Sequence, residues 1–197
     1  MPSLNRLRQT LFSVPRYPPR CEGDLNLEPV WKKETQMATT VMRVEHINPF
    51  IAAVNTTFRT MLGWEVRRGK PVIKHTRTAE HSVSGVIGLS GKAVGTVVLS
   101  FSTPVALKAA SALLMEELSE INTEVLDAVG ELTNMVAGAA KAQLEEYQLS
   151  VSLPNVVTGH NHIVHFPSTV TPIAIPFETD YGPFTLEVAL APVEGAK

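Results

Sequence analysis

Apolar positions along the chain follow two rhythms, and the switches between them mark out the elements. Between residues 124 and 141 they recur every three or four positions, with Val125, Ala128, Val129, Leu132, Met135, Val136 and Ala139 on one stripe. That is the mark of an amphipathic helix. The spacing predicts a long helix over 124–147, whose alanine-rich second half has high helix propensity. An earlier stripe of Phe50, Ile51, Val54, Phe58, Met61 and Leu62 predicts a helix over 49–62. Asn48 suits its N-cap, Pro49 the first helical position, and Gly63 the left-handed position just past its end. Thr103 and Pro104 open a further helix, predicted to reach Glu117, with Val105, Ala109, Ala112, Leu113 and Leu114 on or near its core side.

Elsewhere the period is two. Short strands are predicted at 64–67 and 71–76, then a hairpin of 82–89 and 94–101 turning through 90–93. Gly85, Gly88 and Gly95 weaken these strands and point to another element packed closely above them. After Leu149, Pro154 divides 150–157 into two pieces and Gly159 marks a turn. The last hairpin joins 168–176 to 183–191. In its second strand Thr185, Glu187 and Ala189 alternate with Leu186, Val188 and Leu190, which directs one face to the core. Helix, strands, two helices, strands is the order of an α+β fold, an antiparallel sheet with helices packed on it.

Residues 1–41 follow neither rhythm. The first twenty hold Arg6, Arg8, Arg16 and Arg20 with no acid, together with Pro2, Pro15, Pro18 and Pro19. Proline at that density continues neither a helix nor a central strand. The expectation is a disordered basic, proline-rich extension or a misassigned start, ahead of one domain over 42–192 and a tail at 193–197. A chain of 197 residues with 44% hydrophobic and 18% charged residues has ample material for a core. A net charge of −2 gives no global drive toward nucleic acid or an anionic membrane. No apolar run approaches the roughly 18 residues of a membrane span. The single cysteine, Cys21, excludes an intramolecular disulfide and fits a reducing compartment, so the cytoplasm is expected.

Chemistry concentrates on the long helix. Opposite its apolar stripe stand Glu124, Asp127, Glu131, Asn134, Gly138, Lys141 and Glu145. At about 100° per residue, Glu131 and Asn134 are about 60° and one turn apart, so both side chains reach one partner group. Gly130, Ala137 and Gly138 lie on or beside that side, where small residues let a foreign surface approach the backbone. Each interior glycine costs about 1 kcal/mol relative to alanine, which calls for a compensating contact. A visiting molecule and a neighbouring element of the chain both provide one, and the pattern alone equally describes a solvated helix face. His160, His162 and His165 are less informative. On a strand the first two share a face, the third points away, and no cysteine or carboxylate nearby completes a tetrahedral set, so they read as surface or satisfied histidines. The spaced glycines of 84–91 lie in a hairpin with no helix N-terminus following, which discounts a phosphate cradle. Met61, Met115 and Met135 read as core filling.

The run Gly-Glu-Leu-Thr-Asn-Met-Val-Ala-Gly at 130–138, followed by Lys141, resembles the active-site helix of the CheX/CheC family of chemotaxis phosphatases. That family carries Glu-x-x-Asn preceded four residues earlier by Asp or Ser, matched here by Asp127, Glu131 and Asn134. The resemblance extends to 42–51, 84–91 and the closing strand pair, and so covers roughly residues 42–192. The helix before it holds no Glu-x-x-Asn, which leaves one candidate site, as in the CheX branch.

The resemblance implies a phosphatase acting on the aspartyl phosphate of a CheY-like response regulator. Asn134 would orient the attacking water and Glu131 would pair with the receiver's phosphate-site lysine. Asp127, Gly130, Gly138 and Lys141 would join the contact. It implies no cofactor of its own, Mg²⁺ residing in the receiver's acidic pocket, and a homodimer joined at sheet edges. Folds of this type also serve flagellar switch components, so a non-catalytic receiver-binding or scaffold module is the alternative. The sequence departs from the family pattern at Ala139, where relatives commonly have Asn, and in the shorter spacing from Asn134 to Pro154.

Overall fold

A computed structural model describes residues 40–41, 44–168 and 170–193, all within a unit spanning Met37–Lys197. Apart from 40–41, the expected N-terminal extension lies outside the described residues, as does the tail from 194. The elements run β1 (Thr40–Val41), α1 (Val44–Thr57), β2 (Arg67–Arg68), β3 (Val72–Ile73), β4 (Val83–Ser90), β5 (Ala93–Phe101), α2 (Thr103–Leu114), α3 (Thr123–Ala142), β6 (Ser150–Val151), β7 (Asn155–Thr158), β8 (Val170–Thr171), β9 (Ile173–Thr179) and β10 (Gly182–Pro192). Eight strands form one sheet in the order β2-β9-β10-β5-β4-β6, with β3 also on β9 and β7 also on β4. Its pairings are antiparallel, while β1 and β8 make a separate parallel pair. This is the expected α+β class.

Strand register sorts the sheet into two faces. Val83↔Phe101 and Ile87↔Val97 on β4 and β5 continue into Phe184↔Phe101 and Leu186↔Leu99 on β10. These side chains are buried on the face that carries the helices. Phe58, just past the end of α1, stacks on Phe184 with ring centroids 4.6 Å apart, and Phe177 stacks on Phe184 at 5.0 Å. Such offset aromatic pairs add about 0.5–1.5 kcal/mol each beyond their buried area. A Cβ built on Gly85 would lie 2.0 Å from Thr133 Oγ1. Glycine is therefore what lets α3 settle on the centre of the sheet, and close packing at Gly85 is as expected.

Several boundaries differ from the expectation. α1 begins at Val44, so Pro49 lies inside it instead of at its first position. The missing N–H leaves the Glu45 carbonyl without its i+4 partner. Ile47 and Phe50 continue the buried stripe on either side of it, which holds the helix together. Directly after it, Phe58–Leu62 form a π turn closed by Gly63 at φ +70°, whose N–H bonds to the Phe58 carbonyl. α2 stops at Leu114 because Met115 turns left-handed; Met115 is 95% exposed and Met61 is exposed too, so neither fills the core. α3 ends at Ala142, and Glu145–Tyr147 is a separate 3₁₀ turn. The strands expected at 64–67 and 71–76 shrink to β2 and β3 on the β9 edge.

The alternation in β10 is realised, yet its outward face is not open to water. Lys74 reaches Glu187 and pairs with it, the two side chains being 3% and 0% exposed. The His81 backbone N–H donates to Ser100 Oγ at 3.1 Å, and the His81 ring Nε2 lies 3.3 Å from Thr185 Oγ1. Ser84 Oγ lies 2.9 Å from both Ser100 Oγ and His162 Nε2, and His162 Nδ1 lies 2.9 Å from the Gly159 carbonyl. Backbone bonds from Lys74 to Pro172, Ala79 to His162 and Val164 to Arg77 tie the two covering segments together. Burial pushes the Glu187 carboxyl above its usual range, with Lys74 countering; burial likewise lowers the His81 imidazole. Satisfied histidine is the right description of His162.

Candidate functional site

α3 starts where Asn122 Oδ1 accepts the Val125 N–H at 3.0 Å, capping one of the free donors of the first turn. Glu124 in the first turn and Lys141 in the last complement the helix dipole. Val125, Ala128, Val129, Leu132, Thr133, Val136 and Ala140 are buried, so more than half of the helix circumference is held by the protein. Thr133, deep in this contact, donates its hydroxyl to the Val129 carbonyl at 2.7 Å. A rod fixed this way along 20 residues gives its outer side chains a rigid base.

That outer side is a narrow polar stripe. Glu124, Asp127, Glu131, Gly138 and Lys141 are exposed, and Asn134 is half-buried. Among the described residues, Asp127, Glu131, Asn134 and Lys141 make no side-chain hydrogen bond or ion pair. Glu131 and Asn134 stand one turn apart, and a Cβ built on Gly138, one turn beyond Asn134, would meet nothing within 4 Å. The backbone is bare there, as expected. An acid, a neutral carboxamide and an uncovered turn of helix thus face outward together.

Two expectations for this face are corrected. Gly130 is buried: a Cβ there would come 3.4 Å from Val156 Cγ2 and 3.6 Å from Pro154 Cγ. The protein's own β6–β7 loop occupies the space reserved for a visitor. Ala137, expected beside the open side, is also fully buried. Both residues lie at the stripe's sheet-side margin, where a few tens of degrees of helix rotation separate covered from open. Sequence reasoning passed over Leu153, 86% exposed on that same loop; an apolar residue just before Pro154 was its only signal. Ala139, the family departure, is half-buried.

Among the described residues, no group of three or more His, Cys, Asp or Glu is arranged to hold a metal, and no helix is long and apolar enough to cross a membrane.

Residues 83–178 match the family described as Chemotaxis phosphatase CheX. The CheY-P phosphatase CheX of Thermotoga maritima is 36% identical over 118 residues, covering 58% of this chain and 76% of that protein. A CheC-like superfamily protein from Shewanella sp. PV-4 superposes with a TM-score of 0.71 at 36% identity, over 76% of this chain and 99% of that one. A chain of the CheX-CheY-BeF3-Mg+2 complex from Borrelia burgdorferi gives a TM-score of 0.63 at 26% identity, over 75% of this chain and 99% of that one.

Proposed function

The chain belongs to the CheX family of chemotaxis phosphatases, and from that premise we propose that it hydrolyses the aspartyl phosphate of a CheY-like response regulator through Asn134 and Glu131. The observation that carries this reading is the outward pair itself: two side chains one turn apart on a rigid helix, neither engaged by the described residues. The names of the Thermotoga relative and of the Borrelia complex support the substrate class.

An acyl phosphate is already activated, so the catalyst's task is to place a water and to hold the geometry. The water oxygen forms the new bond to phosphorus as the bond to the receiver's aspartate breaks. The aspartate leaves as a carboxylate, and the water's proton passes to the released phosphate or to solvent. The Asn134 carboxamide donates to a water lone pair or accepts one of its protons, aligning it in line with the leaving oxygen. An amide suits this place because it stays neutral beside a dianionic phosphoryl group. Glu131 pairs with the receiver's phosphate-site lysine and sets the distance between the partners. Mg²⁺, held in the receiver's own acidic pocket, takes up charge on the phosphoryl oxygens. Asp127 and Lys141 border the contact, and Gly138 lets the partner come close to the helix. The same reading includes a homodimer: β3 offers exposed Val72 and Ile73 on a sheet edge, the kind of edge that pairs between chains.

The test is phosphate loss from a phosphorylated CheY-type receiver with and without the protein. Wild type is expected to accelerate it, and Asn134→Ala to lose about 10²–10³-fold of that acceleration, as removal of one positioned polar group does elsewhere. Wild-type protein that binds the beryllofluoride-activated receiver but leaves its dephosphorylation rate untouched belongs instead to the non-catalytic binding class.

A further inference from the structure

We propose that Leu153 is an apolar anchor for the phosphorylated receiver domain, carried by the β6–β7 loop that packs on the Asn134 side of the polar stripe. The inference rests on the phosphatase reading above and adds to it a residue outside the signature helix. A single exposed leucine is ordinary on a protein surface. What separates Leu153 is how it is held and where.

Its backbone is fixed from both sides. The Ser152 N–H donates to the Gly88 carbonyl at 2.9 Å. The Gly88 N–H returns a bond to Ser152 Oγ at 2.9 Å, and that hydroxyl donates to the Leu153 carbonyl at 2.9 Å. On the other side, Pro154 has its φ set by its ring and packs over Gly130. Leu153 is thus 86% exposed on a backbone that is already ordered. A partner docking on it has no loop to immobilise, which is the condition under which a small apolar contact contributes most to affinity.

The position follows from Gly130. That residue is one turn before Asn134 and about 40° from it around the helix axis. The loop therefore packs against the helix on the Asn134 margin of the polar stripe, through Pro154 and Val156, and exposed Leu153 directly precedes that contact in the chain. A receiver brought close enough for Asn134 to place a water meets Leu153 at the rim. The occupant this fits is a receiver face with an apolar patch bordering its acidic phosphate pocket: charge pairing at Glu131 sets orientation, and the leucine contributes affinity.

The experiment measures phosphate loss across rising concentrations of a phosphorylated CheY-type receiver, for wild type, Leu153→Ala and Leu153→Asp. Leu153→Ala is expected to raise KM about ten-fold with kcat within about two-fold, and Leu153→Asp to raise KM further. Because the side chain is solvent-facing, all three proteins are expected to share one denaturation midpoint. If wild type accelerates dephosphorylation and both variants keep its KM, the anchor is refuted while the phosphatase reading stands. If wild type gives no acceleration, the phosphatase reading falls. Equilibrium binding of beryllofluoride-activated receiver then decides: about ten-fold weaker binding by Leu153→Ala upholds the anchor, and equal affinity or no binding by wild type overturns it.

Discussion

On the outer side of α3, Asp127, Glu131, Asn134 and Lys141 reach outward with no partner among the described residues. Across the sheet, Lys74, Ser84, Ser100 and Glu187 are buried and His81 and His162 half-buried; Lys74 pairs with Glu187, while Ser100 meets the His81 backbone and Ser84, which meets His162. Buried polar groups lose their hydration and must recover it from partners, so that layer is bound up with stability. Exposed groups on a fixed helix keep their hydration until something displaces it, so that face is available for the recognition proposed above. Substitutions in the two regions are expected to separate cleanly: stability moves in one, activity in the other.

The largest expected break is at Lys74. Lys74→Met leaves the Glu187 carboxylate buried and unpaired, its Oε2 already lacking a partner among the described residues. The loss expected is about 3–5 kcal/mol of unfolding free energy in urea titration. Joining Lys74→Met with Glu187→Leu replaces the pair by apolar groups of similar size, and most of that loss is expected to return. A single variant as stable as wild type would mean that the pair contributes nothing to the fold.

A smaller effect sharpens the same side of the comparison through pH. Burial, the largest influence, depresses the His81 imidazole below its ordinary 6.5, with Lys74 adding to the depression and Glu80 and Glu178 opposing it. A depressed imidazole means the folded state binds fewer protons than the unfolded one. The stability it confers is complete above pH 6.5 and is lost as pH falls through the lower folded value. Glu187, raised mainly by burial, acts with the opposite sign, its contribution present in acid and declining as pH rises through its folded value. Comparing wild type with His81→Gln removes what the two proteins share. The wild-type midpoint is expected to fall more steeply than that of the variant between about pH 7 and about pH 5. Parallel curves would show His81 to be electrostatically idle.

These two regions also differed in how much the sequence revealed. Period and polarity place Glu131 and Asn134 outward on a helix, because one stripe on a long helix fixes every side-chain direction around it. The buried layer had no such signature. Alternation correctly turned Glu187 away from Leu186 and Val188, but alternation gives direction without saying what covers the far side. Lys74 comes from a segment more than a hundred residues away in the chain, and nothing local marks it as Glu187's partner. Gly130 failed for a related reason: the pattern showed a small residue near the open face, and whether a partner or the protein's own Pro154 filled the space depended on a loop twenty-odd residues later. Pro49 shows the limit of end signals. It reads as a helix start, yet the apolar stripe extends one turn earlier through Ile47 and carries the helix past it.

The smallest expected change in stability is at the site with the largest expected change in activity. Asn134 has no side-chain bond to lose among the described residues, and alanine is the better helix former by a few tenths of a kcal/mol. Asn134→Ala is therefore expected to leave the urea midpoint within about 0.5 kcal/mol of wild type, or slightly above it. Glu131→Ala, fully on the outer face, is expected to do the same. Unchanged stability in both variants, set beside lost activity, would separate the proposed role of these two side chains from any part in the fold. If either alanine variant instead lost about 2 kcal/mol or more, its side chain would belong to the protein's own architecture, and the contrast between an outward recognition face and an inward structural layer would collapse at that residue.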